Sequence, residues 1–193
     1  MAYDETRRLA AALAEMGCDI ISGGGPGLMQ AANEGAATAG TSVSSIGIRI
    51  ALPFEQEGNA FVTDLYEHQT FFTRLHQFVL TSDAFVVAPG GIGTLLEALL
   101  VWQLRQVGHL TETPLILVGR MWPGLIAWIR ESMLLSSPAL VSAGDLDIPV
   151  CVETADEAIV ELQKHHAAWL RRAVSTGRGT GLKAAGPPSA GSA

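Results

Sequence analysis

Apolar and polar positions along the chain switch repeatedly between a helical and a strand-like spacing, and the switches mark the elements. Positions 4–16 carry an amphipathic helical pattern that stops at Gly17. Positions 18–22 form a short β-branched run, ending in Gly23-Gly24-Gly25-Pro26-Gly27. The spacing then predicts a helix over 28–39, a strand over 43–48 and a third strand over 60–65. A helix over 70–81 places Phe71, Leu75, Phe78 and Val79 on one face. The unbroken apolar run 84–88 reads as a strand buried on both faces. Helices over 95–107, 123–135 and 155–172 alternate with strands over 114–119 and 148–152. Strands alternating with helices of this length predict an α/β fold, a doubly wound, mainly parallel sheet flanked by helices. Such a fold usually opens on a strand, whereas this chain opens on a helix. Either the sheet lacks that strand or the sequence begins late, and a late start is the expectation.

Composition sharpens this picture. Residues 1–172 are expected to form one domain. Residues 173–193, of which 15 of 21 are Gly, Ala, Ser or Pro, are expected to form a flexible tail. The 193 residues are 48% hydrophobic and 16% charged, enough apolar material for a sizeable core. A net charge of −7 without a basic run argues against nucleic-acid and membrane partners. Two cysteines, Cys18 and Cys151, exclude a disulfide scaffold and fit a reducing cytoplasm. No apolar run reaches a membrane span, and the first ten residues have no signal-peptide core. The histidines lack metal-ligand spacing, so no metal is expected. The only lysines are Lys164 and Lys183, which removes the P-loop and leaves no Schiff-base lysine in the first 163 residues. No cofactor is expected.

Chemistry concentrates in two glycine-rich turns. Pro89-Gly90-Gly91-Ile92-Gly93-Thr94-Leu95-Leu96-Glu97 follows a buried strand and opens a helix. Such a turn lies at the carboxyl end of a parallel sheet, and its helix N-terminus favours a phosphate. Thr94 adds a hydroxyl. The same residues also fit a tight turn with a Thr94–Glu97 capping box, as do Thr154 and Glu157 at a later helix. The residues 23–27 make the second turn. Neither turn meets the dinucleotide fingerprint, since Leu28 or Leu96 occupies the third glycine position, so NAD is disfavoured. A mononucleotide or sugar phosphate across adjacent strand ends fits better. Arg74, at the edge of an apolar stripe, wants an anionic partner, which an ordinary salt bridge would also supply.

These residues together resemble the Lonely Guy (LOG) family, cytokinin riboside 5′-monophosphate phosphoribohydrolases long mislabelled as lysine decarboxylases. The family pattern P-G-G-x-G-T-x-x-E corresponds to residues 89–97, and its arginine, fifteen residues earlier, to Arg74. The G-G-G-P-G-x-M segment at 23–29, Ala31-Ala32-Asn33, Thr70-Phe71-Phe72, Gln103, residues 114–119 and Trp122 also match. The resemblance implies a Rossmann-like fold and a homodimer or higher oligomer. It implies Arg74 and Glu97 as the catalytic pair. Gly24, Gly25, Gly27, Met29, Pro89, Gly90, Gly91, Gly93 and Thr94 would then bind substrate and its phosphate. Two positions depart from the pattern: Leu75 replaces a lysine and Leu96 an acidic residue. The family's first strand is absent, in keeping with a late start.

The implied reaction is hydrolysis of the N-glycosidic bond of a nucleoside 5′-monophosphate, AMP or an N6-modified AMP, to free base and ribose 5-phosphate. A non-catalytic nucleotide or molybdenum-cofactor carrier of the same fold is the alternative. Self-association is expected through the helices over 70–81 and 95–107, rich in Phe71, Phe72, Leu99, Leu100 and Trp102.

Overall fold

The computed structural model describes residues 3–51 and 58–175. Thirteen elements alternate as α1 (Tyr3–Glu15), β1 (Ile20–Ser22), α2 (Leu28–Thr38), β2 (Ser45–Ile50), β3 (Asp64–His68), α3 (Phe71–Thr81), β4 (Phe85–Val87), α4 (Ile92–Gln106), β5 (Leu115–Val118), α5 (Trp122–Ile129), α6 (Ala143–Leu146), β6 (Pro149–Val152) and α7 (Ala155–Ser175). A π-helical turn, Arg130–Leu134, continues α5.

All strand pairings are parallel, as the alternating pattern predicts, and helices flank them. The strands divide into two three-stranded sheets, ordered β1-β2-β3 and β4-β5-β6. Among the described residues no strand joins β1 to β4. The central strands β2 and β5 supply the most deeply buried large apolar side chains of the sheets, Ile48 and the whole Leu115–Val118 run. Helix α1 ties the halves together. Its Leu9 packs with Ile116 and Val118 of β5 and Ala155, Ala158 and Leu162 of α7. Its Ala10 and Ala14 pack with Ile20 of β1 and Ala36 of α2. A third cluster fills the space under α4 and α5, where Trp102 and Trp122 are buried with Val87, Leu115 and Leu117. Both indoles are satisfied: Trp102 Nε1 donates to Asp145 O and Trp122 Nε1 to Val118 O.

Several boundaries move for physical reasons. The third strand lies at Asp64–His68, later than the apolar run 60–65 suggests. Phe61 and Val62 precede it in a turn held by the Asn59 side chain, which accepts from Phe61 N–H. Helix α4 starts at Ile92 because Gly91, and not Thr94, is its cap. Helix α6 is an addition, a short turn held by a capping box between Ser142 and Asp145. Helix α7 continues to Ser175, past the expected boundary at 172, and the rest of the expected tail lies outside the described residues. No helix among the described residues is long and apolar enough to cross a membrane.

Candidate active site

Both glycine turns sit at carboxyl ends of parallel strands, the first between β1 and α2 and the second between β4 and α4. In the first, Gly24 has φ +71°, and a Cβ there would come within 3.2 Å of Gly47 Cα. Only glycine takes that conformation at that distance without strain. Gly27 caps α2 and Gly91 caps α4, and neither start has a side-chain cap. The first-turn N–H groups have no acceptor inside the helix, and the positive dipole end adds to their pull on an anion. Pro89 and Gly90 link β4 to this second start, while Gly93 and Thr94 lie in the first turn of α4. Gly91 and Gly93 face open space, and a Cβ on Gly90 would overlap the Thr94 side chain. Met29, in the first turn of α2, folds back over the first glycine turn. A Cβ on Gly23 would lie 2.6 Å from its sulfur and one on Gly25 2.7 Å from its methyl group.

Arg74 lies on α3, whose N-cap Thr70 accepts a hydrogen bond from Thr73 N–H. Its side chain is 12% exposed and is fixed on several sides. Nη1 donates to Glu97 Oε1 at 2.5 Å, and Nε donates to Ile48 O on β2 at 2.9 Å. The guanidinium lies over the Phe78 ring, 5.0 Å from its centroid. Nη2 reaches the first turn, 2.9 Å from where a Cβ on Gly23 would be. Glu97 projects from the second turn of α4 with its side chain 35% exposed. The ordinary salt bridge weighed for Arg74 therefore exists, and its partner is Glu97. Arg74 and Glu97 meet beside the first turn and one helical turn beyond the second.

The capping-box reading of Thr94 and Glu97 does not hold. Thr94 is the third residue of α4 rather than its cap, and Arg74 engages the Glu97 carboxylate. The same pattern at Thr154 does cap α7: Thr154 Oγ1 accepts from Glu157 N–H and Glu157 Oε2 accepts from Glu153 N–H. The two departures also differ in kind. Leu75 is buried and serves the core under α3, whereas Leu96 is exposed.

Sequence reasoning missed a polar network behind the first turn. Asn33, fully buried on α2, accepts from Ser22 Oγ at 2.6 Å and from Asn59 Nδ2 at 3.0 Å, and donates to Ser45 Oγ at 3.0 Å. Its signal was present: an amide on the helix face that buries Ala31 and Ala36 needs partners in the interior.

Among the described residues no group of three or more His, Cys, Asp or Glu side chains is placed to hold a metal ion. A shallow depression of about 340 Å³ beside α7 carries Asp156, Glu157 and Glu161. Its three carboxylates repel an anion.

The family described as possible lysine decarboxylase matches residues 29–162, more than half of the chain. The chain belongs to this family. The cytokinin riboside 5′-monophosphate phosphoribohydrolase LOG3 of Arabidopsis thaliana is 28% identical over 149 residues, covering 76% of this chain and 67% of that protein. The enzyme LOG of Oryza sativa subsp. japonica is 26% identical over 169 residues, covering 84% of this chain and 66% of that one. The chain thus spans about two thirds of the length of these curated relatives. Among solved structures, the molybdenum cofactor carrier protein of Chlamydomonas reinhardtii superposes with a TM-score of 0.63 at 20% identity, over 86% of this chain and 88% of that one. The structural-genomics target TM1055 gives a TM-score of 0.60 at 20% identity, over 83% of this chain and 86% of that one. These structures share the Rossmann-like α/β fold.

Proposed function

We propose that the protein hydrolyses the N-glycosidic bond of a nucleoside 5′-monophosphate, AMP or an N6-modified AMP, releasing the free base and ribose 5-phosphate. The observation that carries this reading is the Arg74–Glu97 pair, held at 2.5 Å near two glycine turns whose helix starts carry no side-chain cap. The phosphate sits on the turn N–H groups, and that remote binding fixes the ribose against the pair. The C1′–N bond breaks with its electrons passing to the base, and positive charge gathers on the ribose as in other glycosidic cleavages. The Glu97 carboxylate faces that charge and orients a water toward C1′. Water oxygen bonds to C1′, and its proton passes through Glu97 to the departing base. Arg74 fixes the rotamer of Glu97 and offers Nη2 toward the first turn. The family names of the plant relatives support this chemistry.

Decarboxylation of lysine finds no Schiff-base lysine in the first 163 residues. Lys164 lies on α7, paired to Glu161 on its own helix, and α7 packs on α1, β5 and β6. A second reading, a nucleotide or molybdenum-cofactor carrier, draws support from the likeness to carrier proteins and from apolar Leu75 and Leu96 in place of charged groups. Product analysis separates the two. Incubation with a panel of nucleoside monophosphates should release base and ribose 5-phosphate, whereas binding without release across the panel would favour the carrier.

Self-association belongs to this reading. Phe72 on α3 and Ile92 on α4 are 85% and 83% exposed, and Phe71 and Leu80 on α3 and Leu96 and Leu99 on α4 are exposed as well. Exposed apolar side chains on the two helices that carry Arg74 and Glu97 suit a second copy of the chain.

A further inference from the structure

We propose that Asn59 is a positioning residue that turns the first glycine turn into a phosphate cradle, an inference that rests on the nucleotide reading above. A backbone loop receives an anion only if its carbonyl oxygens point elsewhere. Asn59 takes two successive carbonyls of the turn. Its backbone N–H donates to Gly24 O at 2.8 Å, and its Nδ2 donates to Gly25 O at 3.1 Å. In a trans peptide the N–H points opposite to the C=O. With Gly24 O bound to Asn59, the Gly25 N–H is aimed away from Asn59. The next peptide carries no N–H, because residue 26 is proline. From the other side, Ser22 Oγ accepts from Gly24 N–H at 2.9 Å, which sets the bend at φ +71°.

Asn59 is itself held. Its second Nδ2 hydrogen goes to Asn33 Oδ1, and its own Oδ1 accepts from Phe61 N–H. Asn33 cannot turn, because Ser22 and Ser45 take its oxygen and its amide. The chain Ser45–Asn33–Asn59 therefore transmits the rigidity of β1, β2 and α2 to a turn that would otherwise be free to flip its peptides. A flipped Gly24–Gly25 peptide would present an oxygen to the phosphate. Asn59 touches the turn from behind, so its contribution is to phosphate affinity and not to bond cleavage.

The test is Asn59→Ala, with AMP and adenosine binding followed by calorimetry and AMP turnover measured beside them. Asn59→Ala keeps the backbone N–H bond to Gly24 O and loses the Nδ2 bonds to Gly25 O and Asn33 Oδ1, so AMP affinity should fall about tenfold as the loosened turn no longer holds its Gly25 N–H on the phosphate. Adenosine affinity should stay near wild type, because adenosine carries no phosphate for the turn to hold. Unchanged AMP affinity, or equal losses for AMP and adenosine, would overturn the proposal. If Asn59→Ala does not fold, Asn59→Ser, which keeps a small polar side chain beside Asn33, is read the same way. The binding arm stands even if the wild type releases no base, so failure of the hydrolase reading and failure of this one are distinguishable.

Discussion

Replacing Glu97 by Gln separates a chemical role from a structural one, because the two predict effects of different size. The variant keeps the shape of the side chain and an oxygen that can accept from Arg74 Nη1, but removes the negative charge. The Arg74–Glu97 contact is a charge-assisted hydrogen bond worth ~1.5–3 kcal/mol when buried. Glu97 is 35% exposed at the side chain, so solvent screening brings its loss closer to about 1 kcal/mol. Arg74 keeps its bond to Ile48 O and its contact with Phe78 in the variant. A domain of this size should then lose roughly 2–4 °C of melting temperature. Catalysis should suffer much more. A positioned acid–base group contributes on the order of a hundredfold or more to turnover, about 2.7 kcal/mol of barrier. The assay is adenine release from AMP by wild type and Glu97→Gln, with AMP affinity by calorimetry and melting by circular dichroism. Turnover should collapse while affinity changes little, since the turn N–H groups are untouched. Comparable turnover in the two proteins, at whatever melting temperature, would rule out a chemical role and leave Glu97 a structural partner of Arg74.

Leu75 stands where the family pattern has lysine, yet it is buried, so Leu75→Ala should cost ~2–4 kcal/mol in denaturant unfolding; a loss within error would show that α3 does not rest on it. Phe72→Glu combined with Ile92→Glu should shift the mass seen by light scattering to that of a monomer. A wild type already monomeric at micromolar concentration would reject the α3–α4 interface. Arg8 beside Asp156 holds that carboxyl below the usual aspartate range. A carboxyl lowered by folding contributes stability above its unfolded value, about 3.9, and loses it on acidification below. Asp156→Asn should therefore flatten the acid side of the melting-temperature profile, and a profile identical to wild type would contradict the pairing.

The sequence made some of this legible and hid the rest for identifiable reasons. The buried strands were clear because Leu115, Ile116, Leu117 and Val118 are an unbroken apolar run, as a strand covered on both faces must be. Strand β3 was displaced because Asp64–His68 is polar and half exposed, whereas the apolar Phe61 and Val62 before it pack in a turn. The division into two sheets was not expected, because hydrophobic periodicity reports which faces are buried and not which strands pair. Arg74 and Glu97 could each be singled out by chemistry, but 23 positions separate them, and only the fold shows that they meet. The Asn59 amide left no periodic trace at all, since its partners are Gly25 O, Asn33 Oδ1 and Phe61 N–H.

In the proposed reaction a water oxygen replaces the base at C1′ of the ribose, in a site built from Arg74, Glu97 and the two glycine turns. Incubating the protein with AMP in heavy-oxygen water and analysing the products by mass spectrometry tests it most directly. Adenine and ribose 5-phosphate should appear in equal amounts, with more heavy oxygen at C1 than authentic ribose 5-phosphate takes up by exchange in the same time, and with about a hundredth of either product or less from Glu97→Gln. Bound AMP recovered intact, or ribose 5-phosphate with no more label than exchange supplies, would contradict the proposed reaction.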